Sequence, residues 1–246
     1  MLCRDVGLFL LLFLFANAVQ AVTVDELVAK NIEAKGGIEK IRAIESLRLD
    51  GRLQVGGADS AFELQYAHQL KRGGKLRSEA SLQGLTAITA FDGKVAWQIQ
   101  PFQGRKDPEQ LAADQAKELA QQADIDGALV DWRGKGHKVE YQGTEDVDGT
   151  LAHKLKVSLA NGNTQYVYLD PDYFLEIRVL SQSKVRGVLI EEESDLGNYE
   201  RVAGVHVPFS IESGSKGGPR NQKITIDKAE ANLTLDDALF ALPVPK

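Results

Sequence analysis

The sequence predicts a mainly β protein with a few helices: a single curled antiparallel sheet of roughly eleven strands, forming an incomplete barrel whose concave side the helices cover. Three observations carry this expectation. From Leu47 onward, apolar and polar residues alternate in one strand-length run after another. Turn signals such as Asp92-Gly93, Asn161-Gly162 and Asp170-Pro171-Asp172 separate the runs and give hairpin order. Apart from a short closing turn, helical spacing occurs in two places, before the first strand and inside a long interruption of the series.

Residues 1–21 read as a secretory signal peptide outside the fold. Gly7 to Phe15 is almost pure Leu and Phe, and small residues follow at Ala16, Ala18 and Ala21. That apolar run falls below the ~20 residues a membrane-spanning helix needs. Cleavage is expected after Ala21, or alternatively after Ala18. Cys3 leaves with the peptide, so the exported chain carries no cysteine and is held by its core alone. Residues 22–246 then form one domain. A net charge of -6 and a pI near 5.3 argue against a nucleic-acid partner.

Thr23 and Glu26 form a capping-box pair, so a helix starts at Val24 with Leu27 and Val28 on its apolar face. Gly36-Gly37 ends it, and a short turn carries Ile38, Ile41 and Ile44. Leu47, Leu49, Leu53 and Val55 then alternate with Arg48, Asp50, Arg52 and Gln54 in the first strand. Leu64, Tyr66, His68 and Leu70 follow in the second, and Arg72-Gly73-Gly74-Lys75 turns into Leu76 to Leu82. Leu85 to Phe91 is apolar on both faces, and Val95, Trp97 and Ile99 complete the first set of strands.

The interruption runs from Pro101 to Gly136. Asp107 as cap and Pro108 at the first position start a helix that extends to about Gln122, with Leu111 and Leu119 among its alanines. So long an insertion is either a lid over a site or a cover for an open sheet end. Alternation resumes through Leu155 and Val157, then Ile177, then Val207 and Phe209, and ends at Ile224 and Ile226. Pro208 favours an edge or a bulge. Leu235 to Phe240 reads as a closing helical turn.

Areas select the architecture. Eleven strands ~4.8 Å apart and about six residues long present on the order of 1,000 Å² per face. A twelve-residue helix covers under about 200 Å². Two helices cannot cover such a face if it is flat, so the sheet curls and keeps apolar concave surface for a ligand or partner.

The sequence has no zinc-type His spacing, nucleophile elbow, phosphate loop or dinucleotide fingerprint. Neither a metal nor a cofactor is expected, and no catalytic residue is assigned. Alternation divides Glu191-Glu192-Glu193-Ser194-Asp195 between two faces, which describes a solvated strand end better than a paired-carboxylate site. A hydrolase would need His68, His153 or His206 to meet an acid and a nucleophile in space, with Ser78 and the Glu191 strand the places to look.

Asp92-Gly93-Lys94-Val95-Ala96-Trp97, followed by Pro101, resembles the D-G-K-x-x-W-x-x-x-P hairpin of the LolA family, periplasmic carriers of outer-membrane lipoproteins. Leu70-Lys71-Arg72 is similar to that family's K-R-P turn, although Gly73-Gly74 stands where the family has proline. Ala238 to Pro243 is similar to its closing F-x-x-x-P segment, and the stretch from Ala34 to Leu53 is similar to the wider group of outer-membrane lipoprotein-sorting proteins. The resemblance implies an apolar cavity under a helical lid, a lipid or acylated lipoprotein as ligand, and an inner-membrane transporter or outer-membrane acceptor as further partner. It also implies a gating role for Arg72, whose alternative is a solvated turn arginine.

The expected function is therefore a periplasmic carrier of acyl chains. Leu49, Leu53, Leu64, Tyr66, Arg72, Leu76, Trp97, Ile99, Leu155, Val157, Ile177, Val207 and Phe209 are expected to line the cavity, with Leu111 and Leu119 in the lid. The alternative is an envelope sensor or binding module that engages a protein segment through the same concave face.

Overall fold

A computed structural model describes residues 22–57 and 61–243. The expected signal peptide, residues 1–21, lies outside them. Two helices come first among the described residues, α1 (Val24–Ala34) and α2 (Ile38–Arg42). Six strands follow: β1 (Ser46–Val55), β2 (Phe62–Lys71), β3 (Lys75–Leu82), β4 (Leu85–Phe91), β5 (Ala96–Gln100) and β6 (Arg105–Gln110). After helix α3 (Ala113–Gln122) come β7 (Lys138–Val147), β8 (Thr150–Ser158), β9 (Thr164–Leu169), β10 (Glu176–Val185), β11 (Val188–Val202), β12 (Val205–Ser215) and β13 (Gln222–Ala231).

The thirteen strands of the described residues belong to one antiparallel sheet of order β6-β5-β4-β3-β2-β1-β13-β12-β11-β10-β9-β8-β7. Two hairpin meanders are thus joined through β1 and β13, and β6 and β7 remain as its two free edges. The segment between those strands must therefore pass from one edge to the other. In a flat sheet the edges would stand almost 60 Å apart at ~4.8 Å per strand. That segment instead contains a compact helix and the buried residues Leu119, Ala123, Leu129 and Val130. The sheet must curl to bring its edges within reach.

Local chemistry explains the elements. Thr23 caps α1, its hydroxyl accepting from the Glu26 amide at 3.2 Å while the Glu26 carboxylate accepts from the Thr23 amide at 2.9 Å. At the α1–α2 corner Gly36 has φ +123°, and a Cβ there would stand 2.3 Å from the Gly204 carbonyl oxygen, so only glycine fits. Gly51 plays a similar part at a bulge between β1 and β13, where the Thr225 carbonyl oxygen would lie 2.1 Å from a Cβ.

The structure departs from the sequence expectation in two elements. Asp107-Pro108 does not start a helix: these residues lie in β6, which pairs with β5 through Gln98↔Glu109 and Trp97↔Gln110. Proline is tolerated because β6 is an edge strand and its missing N–H interrupts no second ladder. The helix begins only at Ala113 and has no side-chain cap. Val188 to Val202, where alternation marks only Val185 to Ile190 and then Tyr199, is one fifteen-residue strand. Strand β6, not expected from the sequence, is one of thirteen strands among the described residues, where roughly eleven were expected.

Pro208 lies within β12 beside a break in the ladder. β12 pairs with β13 only from Ser210 to Ser213, so the sheet splays on the proline side. The α1–α2 corner fills the opening: the His206 amide donates to the Lys35 carbonyl at 2.8 Å. Ile41 and Ile44 pack there against Val130 and Val205.

Candidate functional site

The concave face holds a cavity of about 700 Å³. Its floor comes from β1 and β2 (Leu47, Leu49, Tyr66, His68), β12 (Val205, Val207, Ile211) and β13 (Ile224, Ile226). Its roof is the α2 corner with Ile41 and Ile44, the end of α3, and the following segment Asp124 to Leu129. These elements converge because the edge-to-edge connection crosses the mouth of the curled sheet. The volume lies within the roughly 300–1,000 Å³ typical of sites that enclose a small molecule.

The concave apolar surface falls into three parts. Beneath α1, Leu27 and Val28 fill the space over Leu155, Val157, Val139 and Val167. Beneath α3, Leu119 and Ala123 cover Leu76, Phe91 and Ala96, with Leu111 packed alongside. The cavity lies between these two patches, under the α2 corner and the segment that follows α3.

Charged residues near the roof and rim are paired with one another. Lys135 bridges Asp124 and donates to the Gly127 carbonyl at 2.8 Å. Lys35 faces Glu176 at 3.3 Å. Arg72 donates twice to Asp126, at 2.9 and 3.0 Å, and also to the Ile44 and Ile41 carbonyls. Hydrogen bonding to Asp126 raises the Arg72 pKa, so the guanidinium stays charged. On its polar side α3 is tied to the β10–β11 hairpin, with Ser183 donating to Glu118 and the Arg186 amide to Asp114.

The expected lining residues divide by face and position. Leu49, Tyr66 and Val207 line the cavity. Leu76, Leu155 and Val157 are on the concave face but lie beneath helices, with at most traces of exposed surface. Leu53 and Leu64 pair with each other beyond the cavity on the same face. Phe209 is half-buried and is not among the lining residues. Arg72 clamps the roof rather than lining the floor.

Three assignments are corrected. Trp97 and Ile99 are on the convex face: register carries Trp97 across Ala90 to Arg77, and Ile99 across Ile88 to Glu79. Trp97 is buried there by the C-terminal turn, its indole donating to the Phe240 carbonyl at 2.8 Å. Ile177, at a bulge in β10, packs against Val147, Ala152, Tyr168 and Leu180 on the outer side. Alternation identified two faces in each strand but not which one curls inward.

Sequence reasoning missed the roof segment Asp124 to Leu129 and the rim residues Lys135 and His137. Their one signal was the Ile125, Leu129 and Val130 apolar set inside a stretch otherwise rich in turn residues.

Of the histidines, His206 is fully engaged by the Ala34 carbonyl and Arg201. His153 contacts the Tyr141 hydroxyl at 3.0 Å and stacks on Phe174. His68 meets Ser78, with Nδ1 and Oγ 2.6 Å apart. Burial pulls the His68 pKa down to about 4, and its one hydrogen-bond partner among the described residues is Ser78, not a carboxylate. Among the described residues, no group of three or more His, Cys, Asp or Glu is arranged to hold a metal.

No protein-family model and no curated protein matches the sequence. Solved structures do match. A DUF1329 family protein from Desulfovibrio piger superposes with a TM-score of 0.59 at 12% identity, covering 89% of this chain and 97% of the other. A LolA superfamily protein from Nitrosomonas europaea gives 0.59 at 16%, covering 90% and 98%. A structure described as an outer membrane lipoprotein-sorting protein domain, from Vibrio parahaemolyticus, gives 0.57 at 10%, covering 87% and 94%. Likeness at these identities establishes the fold, and the fold is LolA-like.

Proposed function

We propose that this protein is a periplasmic carrier that shelters acyl chains of a lipid or acylated lipoprotein beneath the connection between its two sheet edges. The observation that carries the reading is the apolar cavity of about 700 Å³ between helices that cover the floor on either side of it. A chain of this size that left such a space without a ligand would forgo packing it could have gained from one longer helix.

The energetics suit exchange. Each methylene removed from water is worth about 0.8 kcal/mol, so a sixteen-carbon chain enclosed here offsets roughly 12 kcal/mol of membrane affinity. Release then requires a roof that opens at small cost. Helix α3 inserts Leu119 as its one buried side chain and is otherwise rich in Ala and Gln. Arg72 holds the neighbouring roof segment through polar contacts that water can replace. The amino-terminal leader read from the sequence supplies the periplasmic location, and an inner-membrane donor and outer-membrane acceptor are the partners such a carrier serves.

The test is chemical. Organic extracts of natively purified protein are expected to contain co-purified lipid by mass spectrometry, and delipidated protein is expected to take up a fluorescent acyl probe. Failure of the delipidated protein to bind any such probe refutes carriage. A stoichiometric protein partner retained in the absence of lipid would replace it with a sensor role.

A further inference from the structure

Within the apolar floor of the cavity lies one polar island. His68 and Tyr66 are next-but-one neighbours on β2, both facing the cavity. Their rings stack at 6.1 Å with an interplanar angle of 8°. Ser78 on β3 is the cross-strand partner of His68, and its hydroxyl holds the imidazole Nδ1 at 2.6 Å. On the other side His68 pairs with Leu49 of β1, itself a lining residue. The accessible surface of both rings therefore opens into the hollow.

The island differs from the other polar groups around the cavity, several of which already have partners. Tyr199 donates to the Glu176 carbonyl at 2.7 Å, His206 uses both ring nitrogens, and Lys135 and Lys35 are ion-paired. For His68, Ser78 is the one hydrogen-bond partner among the described residues, and it occupies Nδ1. Nε2 has none. A polar atom left at an apolar floor costs free energy unless an occupant or water satisfies it.

Resting on the acyl-carrier reading, we infer that Nε2 of His68 and the hydroxyl of Tyr66 form a recognition point for a neutral oxygen of the bound lipid, an ester carbonyl or a hydroxyl embedded among its apolar carbons. The ligand is then an amphiphile whose polar group enters the cavity with its chain, not a bare hydrocarbon tail whose headgroup stays at the rim. The absence of charge at the island favours a neutral group. Burial keeps the imidazole unprotonated, and it pushes the Tyr66 hydroxyl up to about 12, partly offset by Ser78. A carboxylate or phosphate would meet no formal cation here.

The experiment pairs ligands of equal chain length with conservative variants. Dodecan-1-ol, methyl laurate and dodecane each displace a fluorescent acyl probe from delipidated wild type, His68→Leu and Tyr66→Phe. Net hydrogen bonds worth about 1 kcal/mol predict that His68→Leu weakens the alcohol, the ester or both about fivefold and leaves dodecane within twofold. Tyr66→Phe, which keeps ring and volume, is expected to act in the same direction and guards against a folding defect in the first variant. The alcohol and ester arms separate a hydroxyl-bearing ligand from an ester-bearing one. Equal effects on all three ligands, or none on the oxygenated pair, overturn the inference while leaving the carrier reading intact. Failure of wild type to bind any of the three and the probe itself overturns both.

Discussion

The Arg72 guanidinium grips the Asp126 carboxylate through two hydrogen bonds, at 2.9 and 3.0 Å, across 54 positions of sequence. The same side chain donates to the Ile44 carbonyl at 2.8 and 3.1 Å and to that of Ile41 at 3.2 Å. One residue at the end of β2 thus fastens the α2 corner and the segment after α3, the two halves of the cavity roof. Arginine suits the position because its planar fork reaches a carboxylate and two carbonyls together, which a lysine ammonium cannot do.

Arg72→Lys is expected to loosen the roof without unfolding the chain. The pair is partly exposed, so its contribution after solvent screening is about 1–2 kcal/mol. Stopped-flow release of a bound acyl probe should accelerate roughly five- to thirtyfold, a factor equivalent to that energy if it is lost only from the closed state. Unchanged release together with unchanged stability would reduce Arg72 to a surface ion pair.

Leu119→Ala tests the hold of α3 on the sheet. Leu119 packs against Leu76, Phe91 and Ala96, and its truncation removes about 2–3 kcal/mol of local packing. Hydrogen exchange is expected to rise across residues 111–137 while β1 and β2 keep their protection. Uniform loss of protection throughout the sheet would mean that α3 unfolds with the core and is no lid.

Trp97 supplies a control for the corrected face assignment. Trp97→Phe removes the indole bond to the Phe240 carbonyl and should cost about 1–2 kcal/mol of stability in urea unfolding. Its effect on acyl-probe affinity is expected to stay within twofold, because the side chain lies on the opposite face of the sheet. A loss of tenfold or more would contradict that placement.

His68 predicts a specific pH dependence. Its pKa is lowered from 6.5 to about 4, so between those values the unfolded chain takes up a proton that the folded chain does not. Stability is therefore unaffected above pH 6.5, falls as pH drops through the interval, and reaches its full loss near pH 4. This one group accounts for about 3 kcal/mol of the decline. Unfolding free energies of His68→Gln from urea titrations at pH 7.5 and 4 should differ by that much less than those of wild type.

Gly36→Ala tests the α1–α2 corner. The substitution places a Cβ against the Gly204 carbonyl at a backbone angle disfavoured for side chains, and is expected to cost about 2–3 kcal/mol. For a chain of this size that corresponds to a melting temperature lowered by roughly 5–10 °C. A variant as stable as wild type would show that the corner can move away from the β11–β12 turn.

Much of this architecture was written in local sequence. The Thr23/Glu26 capping box, the alternation along β1 and β2 and the turns at Asp92-Gly93 and Asn161-Gly162 each act over a few residues, and each formed as expected. The area mismatch between a wide apolar sheet and two helices also required only lengths and spacings. It led correctly to a curled sheet that does not close. Tertiary structure decided the rest. Asp107-Pro108 has the local signature of a helix start, yet pairing with β5 makes it an edge strand. Trp97 and Leu49 have the same alternating pattern, yet cross-strand register puts them on opposite faces. The meeting of Arg72 with Asp126, and of His68 with Ser78 and Tyr66 at the cavity floor, depends on register and on the path of the roof segment. A period of two tells a strand that it has two faces; only its neighbours, through register, bulges and curl, determine which of them encloses the cavity.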